Sequence, residues 1–144
     1  MFRKILLPTD GSELSLKALE GAVEMASRLG AKIVGMTVVE PYAYASISEY
    51  RPESMDDFVA RTERTVRARL QRIEEAARSA GVDYETTHAE SFAPYEGIIE
   101  TAHRMGCDVI FMASHGRHGI ASVLLGSETQ KVLTHSDVPV LVYR

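Results

Sequence analysis

Short apolar runs alternate along this chain with longer segments in which apolar residues recur at every third or fourth position. The short runs are typical of buried strands and the longer segments of amphipathic helices. The pattern predicts five strands, over residues 2–7, 31–39, 82–89, 108–113 and 138–143. It predicts four helices between them, over residues 12–29, 54–80, 94–105 and 127–135. The segments 41–54 and 113–126 fit neither pattern and are predicted to be largely irregular.

Strand–helix alternation that repeats four times and closes on a strand indicates a doubly wound parallel sheet. We therefore predict an α/β fold in one domain over residues 1–144, a five-stranded parallel sheet with helices on both faces. Sheets of this kind bind ligands at the carboxyl ends of their strands, where the strand order reverses. In the order 3-2-1-4-5 the reversal lies between strands 1 and 4. The loops 8–12 and 113–126 would then share one crevice.

The second of these loops has the features of an anion site. Residues 112–116 (Met-Ala-Ser-His-Gly) follow an apolar run, and Gly126-Ser127 stands nine residues later, where a helix is predicted to begin. Strand-to-helix connections commonly have about 2–6 residues, so this loop is long. Backbone N–H groups and the helix dipole favour an anion at such a position, which suggests a phosphate cradle. The alternative is structural: Ser127 and Gln130 form a capping box, and Gly126 is only a turn residue.

Composition and charge limit the kinds of partner. The net charge is −4 with mixed signs and no basic run, which argues against binding to nucleic acid or an anionic membrane. No stretch approaches about 20 apolar residues, and the apolar run after Arg3 is too short for a signal peptide. The single cysteine, Cys107, excludes an intrachain disulfide and suits a reducing compartment. We expect a cytoplasmic protein that does not insert into membranes.

With the two loops in view, the chain resembles the universal stress protein family. The resemblance rests on residues 7–12 (Leu-Pro-Thr-Asp-Gly-Ser), Val38, residues 114–116 with Gly126-Ser127, and the closing run 138–142. The family's ATP-binding members carry a glycine, two residues, a second glycine, nine residues, then glycine and serine or threonine. In this chain Ala113 stands at the first glycine, and the spacing is otherwise intact.

This resemblance implies a site for ATP or another adenine nucleotide. Asp10 would contact the ribose or the adenine side of the ligand, and the backbone of Val38 would meet the adenine edge. The residues after strands 1 and 4 would line the base and ribose, and those around the second and third motif glycines would admit and hold the phosphates. Mg²⁺, if bound, would be held mainly through phosphate oxygens. The implied nucleotide-binding residues are Pro8, Thr9, Asp10, Val38, Met112, Ala113, Gly116, Arg117, Gly126, Ser127 and Glu128.

Several side chains in or near the two loops also permit other interpretations. Glu128 suits the dipole of the predicted helix but competes with an anionic ligand for it, and Arg117, His118 and Lys131 could offset its charge. Asp10, His115 and Ser114 could form an acid–histidine–serine set. Adjacent side chains usually diverge, however, and the chain has no Gly-x-Ser-x-Gly elbow, so we do not predict a hydrolase. His115 and His118, three residues apart, could bind a metal ion together with Asp10, but the loop offers no thiolate or second carboxylate, so we do not predict a metal site.

The function predicted is adenine-nucleotide binding in a stress response or in regulation, without efficient turnover. Two alternatives remain open: an interaction protein of the same fold that binds no nucleotide, and a slow ATPase. The strand over residues 138–143 is apolar at nearly every position and lies at an edge of the predicted sheet, so we predict a homodimer through it. The resemblance implies the same dimer, and ligand-dependent association with a regulatory protein partner is a possible output.

Overall fold

The computed structural model describes residues 1–42, 53–115 and 125–144. Every predicted strand and helix is present in these ranges, and the observed ends differ from the predicted ones by no more than two residues. In chain order the elements are β1 (Lys4–Pro8), α1 (Glu13–Leu29), β2 (Lys32–Val39), α2 (Met55–Ser79), β3 (Tyr84–Glu90), α3 (Pro94–Met105), β4 (Val109–Ala113), α4 (Ser127–His135) and β5 (Val140–Tyr143).

The five strands form one parallel sheet in the order β3-β2-β1-β4-β5, as predicted. β1 lies at its centre, where Ile5 is paired with Ile33 of β2 and with Val109 of β4. The chain builds outward from β1 to β3, then returns to place β4 on the other side of β1. The strand order therefore reverses between β1 and β4, and a crevice forms at their carboxyl ends.

Helices cover both faces of the sheet, and each face has its own apolar core. Side chains alternate along a strand, so Ile5 and Leu7 face one side while Leu6 faces the other. On the first face the strands pack against α1 and α2, through residues that include Ala18, Ala22, Leu70 and Ile73. On the second they pack against α3 and α4, through residues that include Ile98, Ala102 and Val132.

Helix α2 lies unusually close to the sheet at Gly35 in the middle of β2. A Cβ atom on this glycine would be 2.9 Å from both the Cδ1 and the Cγ2 atoms of Ile73, a residue that is almost fully buried. Such contacts are shorter than packed side chains tolerate. The absence of a side chain at Gly35 thus sets the distance between α2 and β2.

The helices begin in different ways. Ser12 caps α1 by accepting a hydrogen bond from Ser15 N, and Ser54 caps α2 in the same manner. At α4 the N-cap is Gly126, which has no side chain, and Gln130 N donates to its carbonyl oxygen at 3.0 Å. The capping-box alternative is therefore wrong, because Ser127 already lies in the first turn of the helix.

None of the helices in the described ranges is long and apolar enough to span a membrane.

Candidate functional site

A cleft of about 630 Å³ opens at the carboxyl ends of β1, β2 and β4, with α2 and the N-terminus of α4 as its walls. Nine of the eleven residues predicted to bind a nucleotide line it; the other two, Gly116 and Arg117, lie outside the described residues. The nine are Pro8, Thr9, Asp10, Val38, Met112, Ala113, Gly126, Ser127 and Glu128. They come from three strand ends and one helix, and the topology brings them together.

Asp10 is held rigidly in the loop that follows β1. Its Oδ1 atom accepts hydrogen bonds from Ser12 N at 2.9 Å and from Ser15 Oγ at 2.7 Å. This is the short side-chain-to-backbone turn that aspartate favours, followed by a left-handed Gly11 with a φ of 78°. The loop is also tied to β2, because Thr9 N donates to Met36 O at 2.8 Å. The Asp10 carboxylate thus has a fixed position at the mouth of the crevice.

At the carboxyl end of β2, an arginine from α2 reaches the sheet. The buried Thr37 hydroxyl donates its proton to Thr9 O at 2.8 Å, so it accepts from Nη1 of Arg69 at 3.0 Å. The same Nη1 atom is 3.4 Å from Val38 O. Arg69 was not among the predicted site residues, although it stands three residues after Val66 and therefore at an inward-facing helical spacing. A charged residue at a position of the apolar stripe of α2 was the one feature of the sequence that pointed to Arg69.

The end of β4 and the start of α4 are joined by two hydrogen bonds. Gly126 N donates to Ser114 O at 2.7 Å, and the buried Thr129 hydroxyl donates to Ala113 O at 3.1 Å. Gly126 has an extended backbone, with a φ of −70°, which any residue can adopt. Its value lies in the space that it leaves beside the first-turn N–H groups of α4, which no side chain of the N-cap residue covers.

The carboxylate of Glu128 is directed away from this helix end and toward α3. Its Oε2 atom accepts from Tyr95 N at 2.9 Å, and its Oε1 atom is 3.1 Å from Lys131 Nζ. The N-cap residue of α3 is Ala93, which cannot cap with its side chain. Glu128 therefore caps α3 from a neighbouring helix, and Lys131 partly balances its charge near the cleft.

His115 and Ser114 contact each other, contrary to the expectation that adjacent side chains diverge. Ser114 Oγ and His115 Nδ1 are 2.9 Å apart, and both residues are buried. Within the described residues, His115 Nε2 is buried without a hydrogen-bond partner, so no carboxylate completes a triad there. The described ranges also contain no group of three His, Cys, Asp or Glu residues arranged to hold a metal ion.

Phe58 and Arg61 of α2 line the outer part of the cleft and contact Tyr42 and Glu53, which precede this helix. The Tyr42 and Phe58 rings lie 5.0 Å apart, and the Arg61 guanidinium lies 5.3 Å above the Phe58 ring. Arg61 makes two hydrogen bonds to Glu53, at 2.8 and 3.0 Å, which lower the pKa of that carboxyl. Arg61 is thus already engaged with an exposed acid at the edge of the cleft.

Known proteins of the same fold match this chain over essentially its whole length. The family model described as the universal stress protein family matches residues 1–144. The universal stress protein YxiE of Bacillus subtilis is 32% identical over 149 residues, with all of both chains covered. The universal stress protein MJ0531 of Methanocaldococcus jannaschii is 28% identical over all of this chain and 83% of its own length.

Solved structures agree with this assignment. The hypothetical protein MJ0577 superposes with a TM-score of 0.82 at 26% identity, over 99% of this chain and 95% of its own. A universal stress protein in complex with cAMP superposes with a TM-score of 0.74 at 25% identity, over 99% of this chain and 97% of its own. The chain therefore belongs to the universal stress protein family.

Proposed function

We propose that this chain binds an adenine nucleotide in the cleft and acts, as one domain over residues 1–144, as a binding protein in a cytoplasmic stress response or in regulation. The observation that carries the proposal is the start of α4, which opens into the cleft with no side chain at its N-cap residue Gly126. A similar universal stress protein is in complex with cAMP, which supports a nucleotide as the ligand.

The phosphates would lie at the N-terminus of α4. First-turn N–H groups and the helix dipole together favour an anion there. The charge of Glu128 repels an anion at this helix end only weakly, because its carboxylate is hydrogen-bonded to Tyr95 N and paired with Lys131. Ala113 at the first motif position lies at the end of β4 and leaves the spacing of the ATP-binding signature intact. A divalent ion would be held through phosphate oxygens.

The nucleoside would extend from α4 across β1 toward β2. Neighbouring strands are about 4.8 Å apart, so the crevice from β4 to β2 spans roughly 10 Å. Met112 and Val38 offer apolar surface along this path, and the fixed carboxylate of Asp10 is a suitable acceptor for ribose hydroxyls. The cleft volume, about 630 Å³, lies within the range of about 300–1,000 Å³ common for small-molecule sites.

We propose binding without efficient turnover. Three carboxylates line the cleft within the described residues, those of Asp10, Glu40 and Glu128. Asp10 already accepts hydrogen bonds from Ser12 and Ser15, and Glu128 caps α3, so these two have structural partners. Efficient ATP hydrolysis needs a general base within hydrogen-bond reach of the attacking water, and a carboxylate held by structural partners is poorly placed for that role. The ligand would act by changing the association of the protein with a regulatory protein partner.

The test is thermal unfolding with and without ATP, ADP and AMP. A ligand at about 100 times its Kd should stabilise the protein by about 2.7 kcal/mol. Gly126→Val places a branched side chain beside the first-turn N–H groups and should abolish this stabilisation, while its own unfolding free energy falls by about 1 kcal/mol. Gln130→Val is the matched control, because Gln130 is exposed one turn along the same helix. Absence of any nucleotide effect would favour the interaction-protein alternative.

We also propose a homodimer through β5. The strand lies at one edge of the sheet, and Tyr143 retains 37% of its surface exposed. Val140 and Leu141 pack against the two cores, so lysine at either would damage the fold. Val142→Lys should therefore weaken the dimer in sedimentation experiments, whereas Val59→Lys, at an exposed position on α2, should not. A monomer at tens of micromolar would contradict the proposal.

A further inference from the structure

The guanidinium of Arg69 lies at the β2 end of the cleft, opposite the N-terminus of α4. Its Nη1 atom is 3.0 Å from Thr37 Oγ1 and 3.4 Å from Val38 O. Thr37 is itself bonded to Thr9 O at 2.8 Å. These contacts hold the guanidinium at the carboxyl ends of β1 and β2, among the residues that line the cleft.

This position coincides with the base end of a nucleotide, an inference that rests on the proposed function. β1 separates β2 from β4, so the end of β2 lies about 10 Å from the phosphate end of the cleft. A nucleotide whose phosphates meet the first turn of α4 would place the edge of its base beside Val38 and Arg69.

The chemistry of that edge depends on Arg69. A guanidinium has only N–H donors and no acceptor. It therefore cannot accept a hydrogen bond from the 6-amino group of adenine. The carbonyl oxygen of Val38 could accept that bond, but Nη1 of Arg69 already contacts it. A purine with a 6-oxo group instead presents O6 and N7, the pair of acceptors that arginine commonly recognises.

We propose that Arg69 determines the base specificity of the cleft by admitting 6-oxo purine nucleotides as readily as adenine nucleotides. Arg69 lowers the affinity for a 6-amino group, because it offers no acceptor, and raises the affinity for a 6-oxo group, because it supplies donors. Among the described residues, the other charged side chains that line the cleft are Asp10, Glu40, Arg61 and Glu128. Glu128 is engaged with Tyr95 N, and Asp10 lies at the end of β1. Hydrogen bonds to Glu53 and the nearby charge of Glu40 raise the pKa of Arg61, so the Glu40 charge acts on that guanidinium.

The experiment compares ATP with ITP, in which a 6-oxo group replaces the 6-amino group. Calorimetric Kd values are measured for the unmodified protein, for Arg69→Met and for the control Arg72→Met, at an exposed position on the same helix. We expect Kd values for ITP and ATP within about threefold of each other in the unmodified protein. Arg69→Met should raise the ratio of the ITP Kd to the ATP Kd about tenfold, because ITP loses a hydrogen bond to the guanidinium and ATP gains one to the Val38 carbonyl oxygen. Arg72→Met should leave the ratio unchanged.

The ratio separates specificity from a purely structural role. If Arg69→Met weakens both nucleotides equally, Arg69 only ties α2 to the sheet and the proposal is overturned. A preference for ATP above about tenfold in the unmodified protein also overturns it. Arg69→Lys keeps the charge without the planar fork and should give a smaller rise in the ratio, which provides the test if the methionine variant does not fold. If neither nucleotide binds the unmodified protein, the proposed function fails first, and this proposal with it.

Discussion

Glu128 belongs to the first turn of α4 but caps α3, so its replacement should affect stability and ligand binding in opposite directions. Glu128→Gln keeps a hydrogen-bond acceptor for Tyr95 N and removes the charge. The lost interaction with the N-terminus of α3 is worth about 0.3–1 kcal/mol. The contact with Lys131, whose side chain is 49% exposed, adds about 0.5 kcal/mol at most. We expect urea unfolding to show a loss of about 0.3–1.5 kcal/mol for Glu128→Gln. Glu128→Ala should lose more, because the hydrogen bond to Tyr95 N is lost as well.

Nucleotide affinity should rise in the same variant. A carboxylate and a phosphate charge about 8 Å apart repel by about 0.5 kcal/mol in water, and a triphosphate carries several such charges. Removing the Glu128 charge should therefore tighten ATP binding severalfold in calorimetry, less so at high salt. Glu96→Gln is the control, because Glu96 is exposed in the first turn of α3 and does not line the cleft. Weaker binding by Glu128→Gln would refute the reasoning and indicate direct contact between the carboxylate and the ligand or its metal ion.

Four further measurements test other parts of the structure. Gly35→Ala should destabilise the protein by about 1–2 kcal/mol in urea unfolding, because its Cβ would lie 2.9 Å from Ile73. The same substitution should be nearly neutral in an Ile73→Ala background, and equal costs in both backgrounds would contradict this explanation. The ammonium of Lys4, 2.7 Å from Glu85, lowers the pKa of that carboxyl, so its stabilising effect is present above the ordinary value of 4.5 and is lost as the pH falls through the lower folded-state value. Glu85→Gln should flatten the dependence of Tm on acid pH, and an unchanged profile would argue against the ion pair. Burial raises the pKa of the Cys107 thiol to about 11, so a disulfide reagent at about pH 8 should label it only on unfolding, and rapid labelling of the native protein would show otherwise. Incubation with ATP and Mg²⁺ should release ADP well below about 1 s⁻¹, and faster turnover would favour the ATPase alternative.

The strand order and helix positions could be predicted because hydrophobic periodicity reports burial directly. The first residues of β3 and β5 were predicted less accurately, because burial is not the same as strand pairing. Val82 is buried but donates its N–H to Ala77 O, in the turn that follows α2, so β3 begins two residues later. Val138 donates to Ser136 Oγ, and Pro139 has no N–H to donate, so β5 begins at Val140. Burial extends beyond the residues that pair in the sheet.

The candidate site was less predictable where it depends on side-chain direction. Residues adjacent to strand ends, such as Asp10 and Ala113, could be named because the topology alone brings strand ends together. The position of Arg69 depends on the rotation of α2 about its axis, and α2 carries many charged residues. The direction of the Glu128 carboxylate depends on a second helix, α3, which is distant in sequence. Both features follow from packing: the spacing of Arg69 from Val66 indicates only which side of α2 it lies on, and the sequence around Glu128 carries no signal for its contact with α3.

The hydrogen bond from Gly126 N to Ser114 O closes the connection between β4 and α4 at its base. With Thr129 bonded to Ala113 O as well, the two ends of this connection are held by the folded body on either side of it. The number of residues between them can then change at little energetic cost, since doubling a loop adds only about 0.6 kcal/mol of closure entropy. The positions of β4 and α4 are accordingly set by the folded body on either side of them and not by the length of the chain that joins them.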